Sequence, residues 1–223
     1  MDELEAYLAP APGVTCDEPR LWDLARSIVR GSENDVAAGV RLFNWVRDSI
    51  RYSAYVPFWD LRHYHAATVL SRGCGYCVQK SALLAALCRS LGFPARLSFA
   101  DIENHLLGPK LARYLGTKVM TFHCFAEIYL GGRWVKATPS FEYKLCQAQG
   151  WKLVEFNGRD HALLPSEDKE GRPHVTYLKS HFSSKGVPLK RILEAWEAVY
   201  GRERMKEWRR TLEKNWPREV FVD

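Results

Sequence analysis

Four leucines recur at helical spacing between positions 78 and 91, in a run that is otherwise rich in alanine and free of helix breakers. These are Leu83, Leu84, Leu87 and Leu91. Gly92 stands where a helix end favours a left-handed residue, and Pro94 prevents the helix from continuing. The pattern predicts a buried helix over 78–91.

The same periodicity predicts further helices towards both ends of the chain. Asp17 is the expected cap of a helix with Pro19 in its first turn, running to about Arg30. Ser32 and Asp35 resemble a capping box for a second helix. Its expected apolar face is Val36, Val40, Phe43, Val46 and Ile50. Two amphipathic helices are expected at 188–200 and 203–214. Their expected buried face is Trp196, Val199, Met205, Trp208 and Leu212.

Alternating and β-branched positions predict strands in the centre of the chain. We expect strands at 95–100, 121–130 and 133–137, the last two joined by a hairpin at Gly131-Gly132. A polar turn is expected at 101–105 and an irregular chain past Pro139. The aromatic segment 52–59 reads as a loop, which either lines a groove or packs back on the core.

The composition limits the class of protein and its expected location. At 223 residues, with 47% hydrophobic and 26% charged residues, the chain matches an ordinary globular protein. We expect one domain over 1–223, with a core at about 35–145 and a C-terminal helical extension at about 186–215. No apolar run approaches the length of a signal peptide or a membrane span, so we expect a cytoplasmic protein whose six cysteines are free thiols.

The net charge of +6 is concentrated near the C-terminus. Ten Lys and Arg residues stand against five Glu between Lys179 and Lys214. A basic patch of this kind can bind nucleic acid. Because acids are interspersed along the same helices, we expect a solvated helix face, and neither nucleic acid nor membrane as a partner.

Cys77 stands out among the cysteines because it falls at the start of the predicted helix. A helix N-terminus carries unpaired backbone N–H groups and the positive end of the helix dipole, and both favour a thiolate. The turn containing Gly73 and Gly75 is expected to expose this thiol. Cys88, well inside the helix, fits an ordinary buried cysteine instead. Cys77 is therefore a candidate nucleophile.

Ordered sequence blocks between about 70 and 140 resemble the transglutaminase-like superfamily. These blocks are Gly75-Tyr76-Cys77, Gly92-Phe93-Pro94-Ala95-Arg96, His123-Cys124-Phe125-Ala126-Glu127 and Trp134-Val135-Lys136-Ala137-Thr138-Pro139. Phe125 stands where the family usually has Trp. The resemblance, which extends to uncharacterised bacterial members, implies an α+β fold of the papain-like and transglutaminase-like kind. A helix bearing the cysteine would pack on a small antiparallel sheet.

The resemblance also implies catalytic roles. Cys77 would be the nucleophile and His123 the general base, with the backbone N–H of Cys77 helping to stabilise the oxyanion. The family's third residue, an Asp that orients the histidine, falls on Thr138 here. A hydroxyl accepts a hydrogen bond but brings no negative charge. Thr138 is one candidate orienter, and Asp101, Asn104 and Glu142 stay open as others.

These features imply a cysteine-dependent acyl-transfer enzyme acting on amide bonds of a protein or peptide through a thioester. Hydrolysis is the favoured outcome. Transfer to an amine, as in a true transglutaminase, is the alternative within the enzyme class. A non-catalytic binding module on the same fold is the alternative outside it, and Thr138 favours that reading. No cofactor or metal is expected.

Other motifs have weaker chemistry. Cys74-x-x-Cys77 has the spacing of a zinc knuckle or a redox pair, but no second pair of ligands follows. A reversible disulfide between Cys74 and Cys77 stays a hypothesis. His63 and His65 read as surface residues, and His105 as a polar-turn residue or a second candidate base. Glu127 is expected to be buried with a salt-bridge partner.

Overall fold

The computed structural model describes residues 4–216, which form a mixed α and β structure. Its helices are α1 (Pro19–Val29), α2 (Asp35–Ser49), α3 (Ala66–Arg72), α4 (Cys77–Ser90), α5 (Pro109–Leu115), α6 (Tyr143–Gln149), α7 (Leu189–Tyr200) and α8 (Arg202–Asn215). Its strands are β1 (Arg51–Tyr52), β2 (Cys74–Gly75), β3 (Ala95–Asn104), β4 (Val119–Leu130), β5 (Arg133–Ala137) and β6 (Val175–Ser184). The expected α+β class is confirmed.

The main sheet has four antiparallel strands in the order β5-β4-β3-β6. The predicted hairpin is confirmed: Gly131 and Gly132, with φ of 55° and 81°, turn the chain from β4 into β5. Positive φ at both central residues is what a tight hairpin requires. A separate short parallel pair, β1 and β2, leads directly into α4.

Helix α4 is the central element of the core, and every residue from Cys77 to Arg89 is buried. It lies between the sheet and the helices α1, α2 and α3, which explains why apolar residues occur all around it. Gly92, with φ of 83°, ends the helix by donating its N–H to Arg89 O. The predicted helix is confirmed, and it begins at Cys77 itself.

Strand β3 continues through the segment predicted as a polar turn, so that prediction is wrong. The pairing of β3 with β4 shifts between Ala100 and Ile102, which places Asp101 opposite a bulge at Thr121 and Phe122. The Asp101 carboxylate accepts hydrogen bonds from the Thr121 hydroxyl and from Phe122 N. A polar residue in a strand that hydrogen-bonds to a bulge in the partner strand looks, in the sequence, like a polar residue in a turn.

The region after Pro139 contains regular structure that the sequence did not predict. Helix α6 follows at once, and β6 adds an edge strand to the sheet. The C-terminal helices α7 and α8 are confirmed. Trp208 and Leu212 are buried and Trp196 and Met205 are half-buried, but Val199 is 47% exposed, so its prediction as a core residue is wrong.

The first two helices are confirmed, but their caps differ from expectation. Glu18, not Asp17, occupies the cap position of α1, and α1 ends at Val29. For α2, the Asn34 side chain accepts the N–H of Ala37 at 3.0 Å, in place of the expected Ser32 cap. No helix in residues 4–216 has the length and apolar character needed to cross a membrane.

Candidate functional site

Cys77 is the first residue of α4 and is 6% exposed. The expectation that the glycine turn exposes this thiol is therefore wrong. Backbone N–H groups of Cys124, Val78 and Cys77 itself lie near enough to the sulfur to favour its ionised form. Two of these come from the helix N-terminus and one comes from β4, so the sulfur lies where the helix meets the sheet.

One edge of β4 is divided between different partners. Strand β5 pairs with β4 from Ala126 to Leu130. Before Ala126 the edge meets α4 instead: Ser81 Oγ, one turn after Cys77, donates to Cys124 O at 3.2 Å. Because Cys124 follows His123 directly, this contact joins the helix that begins at Cys77 to the strand that carries His123.

His123 lies on β4 and is 3% exposed. Its ring packs near Phe125 and Tyr177, with ring centroids 6.5 and 6.2 Å away. Nε2 is enclosed in protein and has no hydrogen-bond partner among the described residues. Burial lowers the pKa of His123 to about 3, so the imidazole is neutral at ordinary pH.

Cys77 and His123 line the same narrow cavity, which has a volume of about 60 Å³. This space is large enough to hold water molecules. The structure therefore brings together the two residues that the sequence predicted as nucleophile and base. No hydrogen bond joins the Cys77 thiol to the His123 ring within the described part of the chain.

The protonation state of Cys77 differs from the sequence-based expectation of a thiolate. Burial raises the pKa of the Cys77 thiol to about 11 and outweighs the N–H groups of Cys124, Val78 and Cys77, which act in the opposite direction. In this closed form both members of the pair are neutral. The helix N-terminus is present as predicted, but it does not overcome the low-dielectric surroundings.

Thr138 follows β5 and is fully buried. Its N–H bonds Ala162 O at 3.0 Å, but its hydroxyl has no partner at hydrogen-bonding geometry in residues 4–216. Burial raises the pKa of Tyr177 to about 12, and the nearby Thr138 hydroxyl acts weakly in the opposite direction; the Tyr177 ring neighbours His123. Thr138 is thus a buried, uncommitted polar group near the histidine.

The other candidate orienters are engaged elsewhere. Asp101 binds His181 Nε2 at 2.9 Å as well as the bulge, and Glu142 accepts the N–H of Tyr52 at 2.9 Å. Burial raises the pKa of Asp101, but hydrogen bonds from Thr121, His181 and Phe122 outweigh it and hold the carboxylate ionised. Asn104 Oδ1 accepts the N–H of Leu106. None of these side chains hydrogen-bonds His123 within the described residues.

The other residues that the sequence singled out make structural contacts. Glu127 is buried and pairs with Arg96 at 2.6 Å, as expected. His63 is buried instead of lying on the surface, and burial lowers its pKa to about 4. His105 bonds the Thr176 hydroxyl at 2.9 Å. Cys74 and Cys77 are both buried free thiols.

Metal binding finds no support in the described region. No group of three or more His, Cys, Asp and Glu side chains there is arranged to hold a metal ion. The Cys74-x-x-Cys77 spacing thus stands without further ligands.

The sequence reasoning missed most of the cavity wall. Tyr52, Phe58, Trp196, Tyr200 and Trp208 all line the cavity beside Cys77. The aromatic segment 52–59 was open to this role, whereas Trp196 and Trp208 read as ordinary core residues of helices. Their distance along the chain from Cys77 left no local signal of a shared site.

Comparison with solved structures gives distant similarity. One is named "Putative Cysteine Protease" from Cytophaga hutchinsonii; it is 18% identical, with a TM-score of 0.49, over 82% of this chain and 54% of that chain. Another is named "Putative Protease" from Parabacteroides distasonis; it is 15% identical, with a TM-score of 0.40, over 61% of this chain and 25% of that chain. The chain thus spans about half of the first protein's length and a quarter of the second's.

Comparison with curated proteins gives no match. The model of one family, described as the transglutaminase-like superfamily, matches residues 23–139, which is more than half of the chain and includes Cys77, His123 and Thr138. Because this match covers more than half of the chain, the chain belongs to the transglutaminase-like superfamily.

Proposed function

We propose that this protein is a cysteine-dependent acyl-transfer enzyme that cleaves amide bonds of peptides or proteins, with water as the acceptor. One observation carries the proposal: Cys77 and His123 line one cavity, and three backbone N–H groups lie near enough to the sulfur to favour its ionised form. Membership of the superfamily supports a cysteine-dependent, peptidase-like enzyme at that general level.

The first half-reaction begins from a neutral pair. Because Nε2 of His123 is enclosed in protein, Nδ1 is the nitrogen available to the thiol. As Sγ bonds to the amide carbon, the thiol proton passes to Nδ1 and the carbonyl electron pair moves onto oxygen. The N–H groups of Cys77, Val78 and Cys124 supply hydrogen bonds for the developing oxyanion.

The first half-reaction ends when the tetrahedral adduct expels the amine, which takes the proton from His123 and leaves a thioester on Cys77. The second half-reaction restores the enzyme. Water then attacks the thioester while His123 removes its proton. The acid departs, and the proton returns to the Cys77 sulfur. An amine in place of water would give transamidation by the same route.

Thr138 is proposed as the positioning residue for His123. Its buried hydroxyl and the enclosed Nε2 of His123 both lack a hydrogen-bond partner in the described residues, and the hydroxyl would accept a hydrogen bond from Nε2–H. A hydroxyl orients the ring but stabilises imidazolium less than a carboxylate does. We therefore expect slower turnover than in relatives that carry Asp at this position.

The test uses a panel of peptide p-nitroanilides with wild-type protein, Cys77→Ala and His123→Ala. We expect release of nitroaniline and a Cys77 acyl adduct, detected by intact mass, with both signals lost in the two variants. An added primary amine that raises nitroaniline release and appears in the product would indicate transamidation. Cleavage that persists without Cys77 would refute the mechanism.

A non-catalytic binding module is the second candidate. The neutral Cys77 and His123 and the uncharged Thr138 favour it, because nothing in the closed cavity pre-forms an ion pair. In that case wild-type protein and Cys77→Ala would bind peptides equally, and neither would form an adduct.

A further inference from the structure

The outer wall of the Cys77 cavity comes from the C-terminal helices, beyond the residues that match the family model. Trp196 and Tyr200 of α7 and Trp208 of α8 line the cavity together with Cys77. The family match ends at residue 139. This wall therefore lies outside the matched region and lines the same cavity as the Cys77 side chain.

Hydrogen bonds fix this wall to the histidine strand. Trp196 Nε1 donates to Thr121 O at 3.0 Å, and the Tyr200 hydroxyl accepts Thr121 N–H at 3.0 Å. Thr121 belongs to the bulge two residues before His123, where β5 does not pair with β4. The wall is thus positioned by the same strand that positions the histidine.

A second contact fixes α8 to α5. Trp208 Nε1 donates to Tyr114 O at 3.2 Å, and the two rings stack with centroids 4.6 Å apart. Tyr114 and its neighbour Leu115 also line the cavity. The aromatic wall is therefore held at two independent points.

The chemistry of the lining is uniform. Among the described residues that line the cavity, none is Asp, Glu, Lys or Arg, and most are aromatic or aliphatic. Burial raises the pKa values of Tyr52, Tyr76 and Tyr200, so their hydroxyls stay neutral. A charged group entering this space would lose its hydration without gaining a counter-ion.

We propose that α7 and α8 form an acyl-donor subsite over Cys77, which takes an aliphatic or aromatic side chain next to the scissile carbonyl. This inference rests on the proposed function and adds its substrate class. Trp196, Tyr200 and Trp208 are its specificity-determining residues. The cavity opens partly to solvent, so the substrate side chain enters it from that side.

The test compares chloromethyl ketones of acetylated leucine, phenylalanine, aspartate and lysine. Sγ bonds to the methylene carbon, chloride leaves, and the thiol proton passes to His123. Rates of Cys77 modification are measured by intact mass and peptide mapping, each divided by the rate of the same probe with glutathione. We expect leucine and phenylalanine probes to react about tenfold faster, or more, than charged probes. Equal rates, or faster charged probes, would overturn the proposal.

Substitutions in the cavity wall provide a further test of the subsite. Leu115→Lys places a cation in the lining and should raise the relative rate of the aspartate probe, whereas Leu178→Lys, on an exposed leucine of β6, should leave the ranking unchanged. Tyr200→Phe removes the hydroxyl that anchors α7 and should reduce the preference for apolar probes even where Leu115→Lys does not fold. An unchanged ranking in Tyr200→Phe would count against the subsite.

Failure of the subsite and failure of the proposed function give different results. Iodoacetamide, which carries no side chain, reports His123-dependent reactivity of Cys77 alone. His123-dependent labelling with no preference among the ketones would reject the subsite and keep the enzyme. Selective labelling that is independent of His123, with no amide cleavage, would keep the subsite and reject the enzyme.

Discussion

Ser81 Oγ donates to Cys124 O at 3.2 Å, and this hydrogen bond links the helix that begins at Cys77 to the strand that carries His123. Ser81 is one turn beyond Cys77, and Cys124 is the neighbour of His123. On the same strand, Cys124 N–H lies near enough to the Cys77 sulfur to favour its ionised form. Both backbone groups of Cys124 thus contact the N-terminal part of α4.

Replacing Ser81 with Ala should show whether this hydrogen bond aligns Cys77 with His123 or only stabilises the fold. The variant leaves a buried carbonyl without its donor, at a cost of about 1–3 kcal/mol. We expect His123-dependent alkylation of Cys77 to fall several-fold, measured with iodoacetamide. Ser90→Ala, on the same helix, removes a bond to Leu87 O far from the cavity and serves as the control. Equal effects of the two variants on alkylation would show that Ser81 acts on stability alone.

Alkylation of Cys77 in the free protein should depend steeply on pH. Because burial raises the pKa of the thiol to about 11, the thiolate is lost as pH falls below that value and is scarce near pH 7. We expect the iodoacetamide rate to rise through the alkaline range, with a midpoint above the ordinary thiol value of about 8.5. A rate that stays constant down to about pH 5 would instead indicate a thiolate–imidazolium pair.

These pKa directions mark the limit of what the sequence could predict about the site. The order of Cys77 at a helix start, His123 on a strand and Thr138 after the next strand is local information, and the hairpin and helix follow from local patterns. The polarity of the cavity depends on Trp196 and Trp208, more than 100 positions beyond Cys77. Burial by distant residues reverses the expected charge state.

The missed secondary structure has a similar origin. Strand β6 is an edge strand with exposed polar residues such as Lys179 and Ser180, so it lacks the alternation of a half-buried strand. Asp101 reads as a turn residue because its carboxylate bonds the backbone of a neighbouring strand, an interaction invisible along the chain. Tertiary contacts outweigh local propensity at both places.

Thr138→Val should test the proposed role of the hydroxyl in positioning His123. Because the Thr138 hydroxyl has no hydrogen-bond partner in the described structure, its removal should change the free energy of unfolding by less than about 1 kcal/mol. We expect the amide-cleavage rate to fall about tenfold while Thr138→Ser retains most activity. Activity that is unaffected in Thr138→Val would exclude the hydroxyl from the mechanism.

The protein should lose stability in mild acid through His123. Burial lowers the pKa of His123 to about 3 from an unfolded value near 6.5. Between these two pH values the unfolded chain binds a proton that the folded chain does not bind. The stability from this group is full above about pH 6.5 and falls as pH decreases, by about 2 kcal/mol at pH 5.

Urea unfolding at these two pH values measures the effect. In His123→Gln the acid-induced loss of stability should be smaller by this amount, whereas His161→Gln, at an exposed position, should keep the wild-type pH dependence. An unchanged dependence in His123→Gln would show that the imidazole is already charged in the folded protein.

Lys80 should make the stability of the protein depend on pH in the alkaline range. This lysine is fully buried on α4, and its amine donates to Arg47 O at 2.9 Å and to Ile50 O at the end of α2. Burial lowers the pKa of Lys80 to about 7, although the neighbouring Glu142 and Asp48 act in the opposite direction.

Since the unfolded pKa of Lys80 is about 10.5, the folded chain releases this proton at lower pH than the unfolded chain does. The stability that Lys80 contributes therefore rises as pH increases from about 7. Lys80→Met should abolish that rise between about pH 7 and 8, below the unfolded thiol pKa of about 8.5. It should also be destabilised overall because two helix-end carbonyls lose their donor. Urea unfolding across the window measures both effects, and Lys152→Met, at a surface ion pair, is the control. A rise that persists in Lys80→Met would assign the pH dependence to another group.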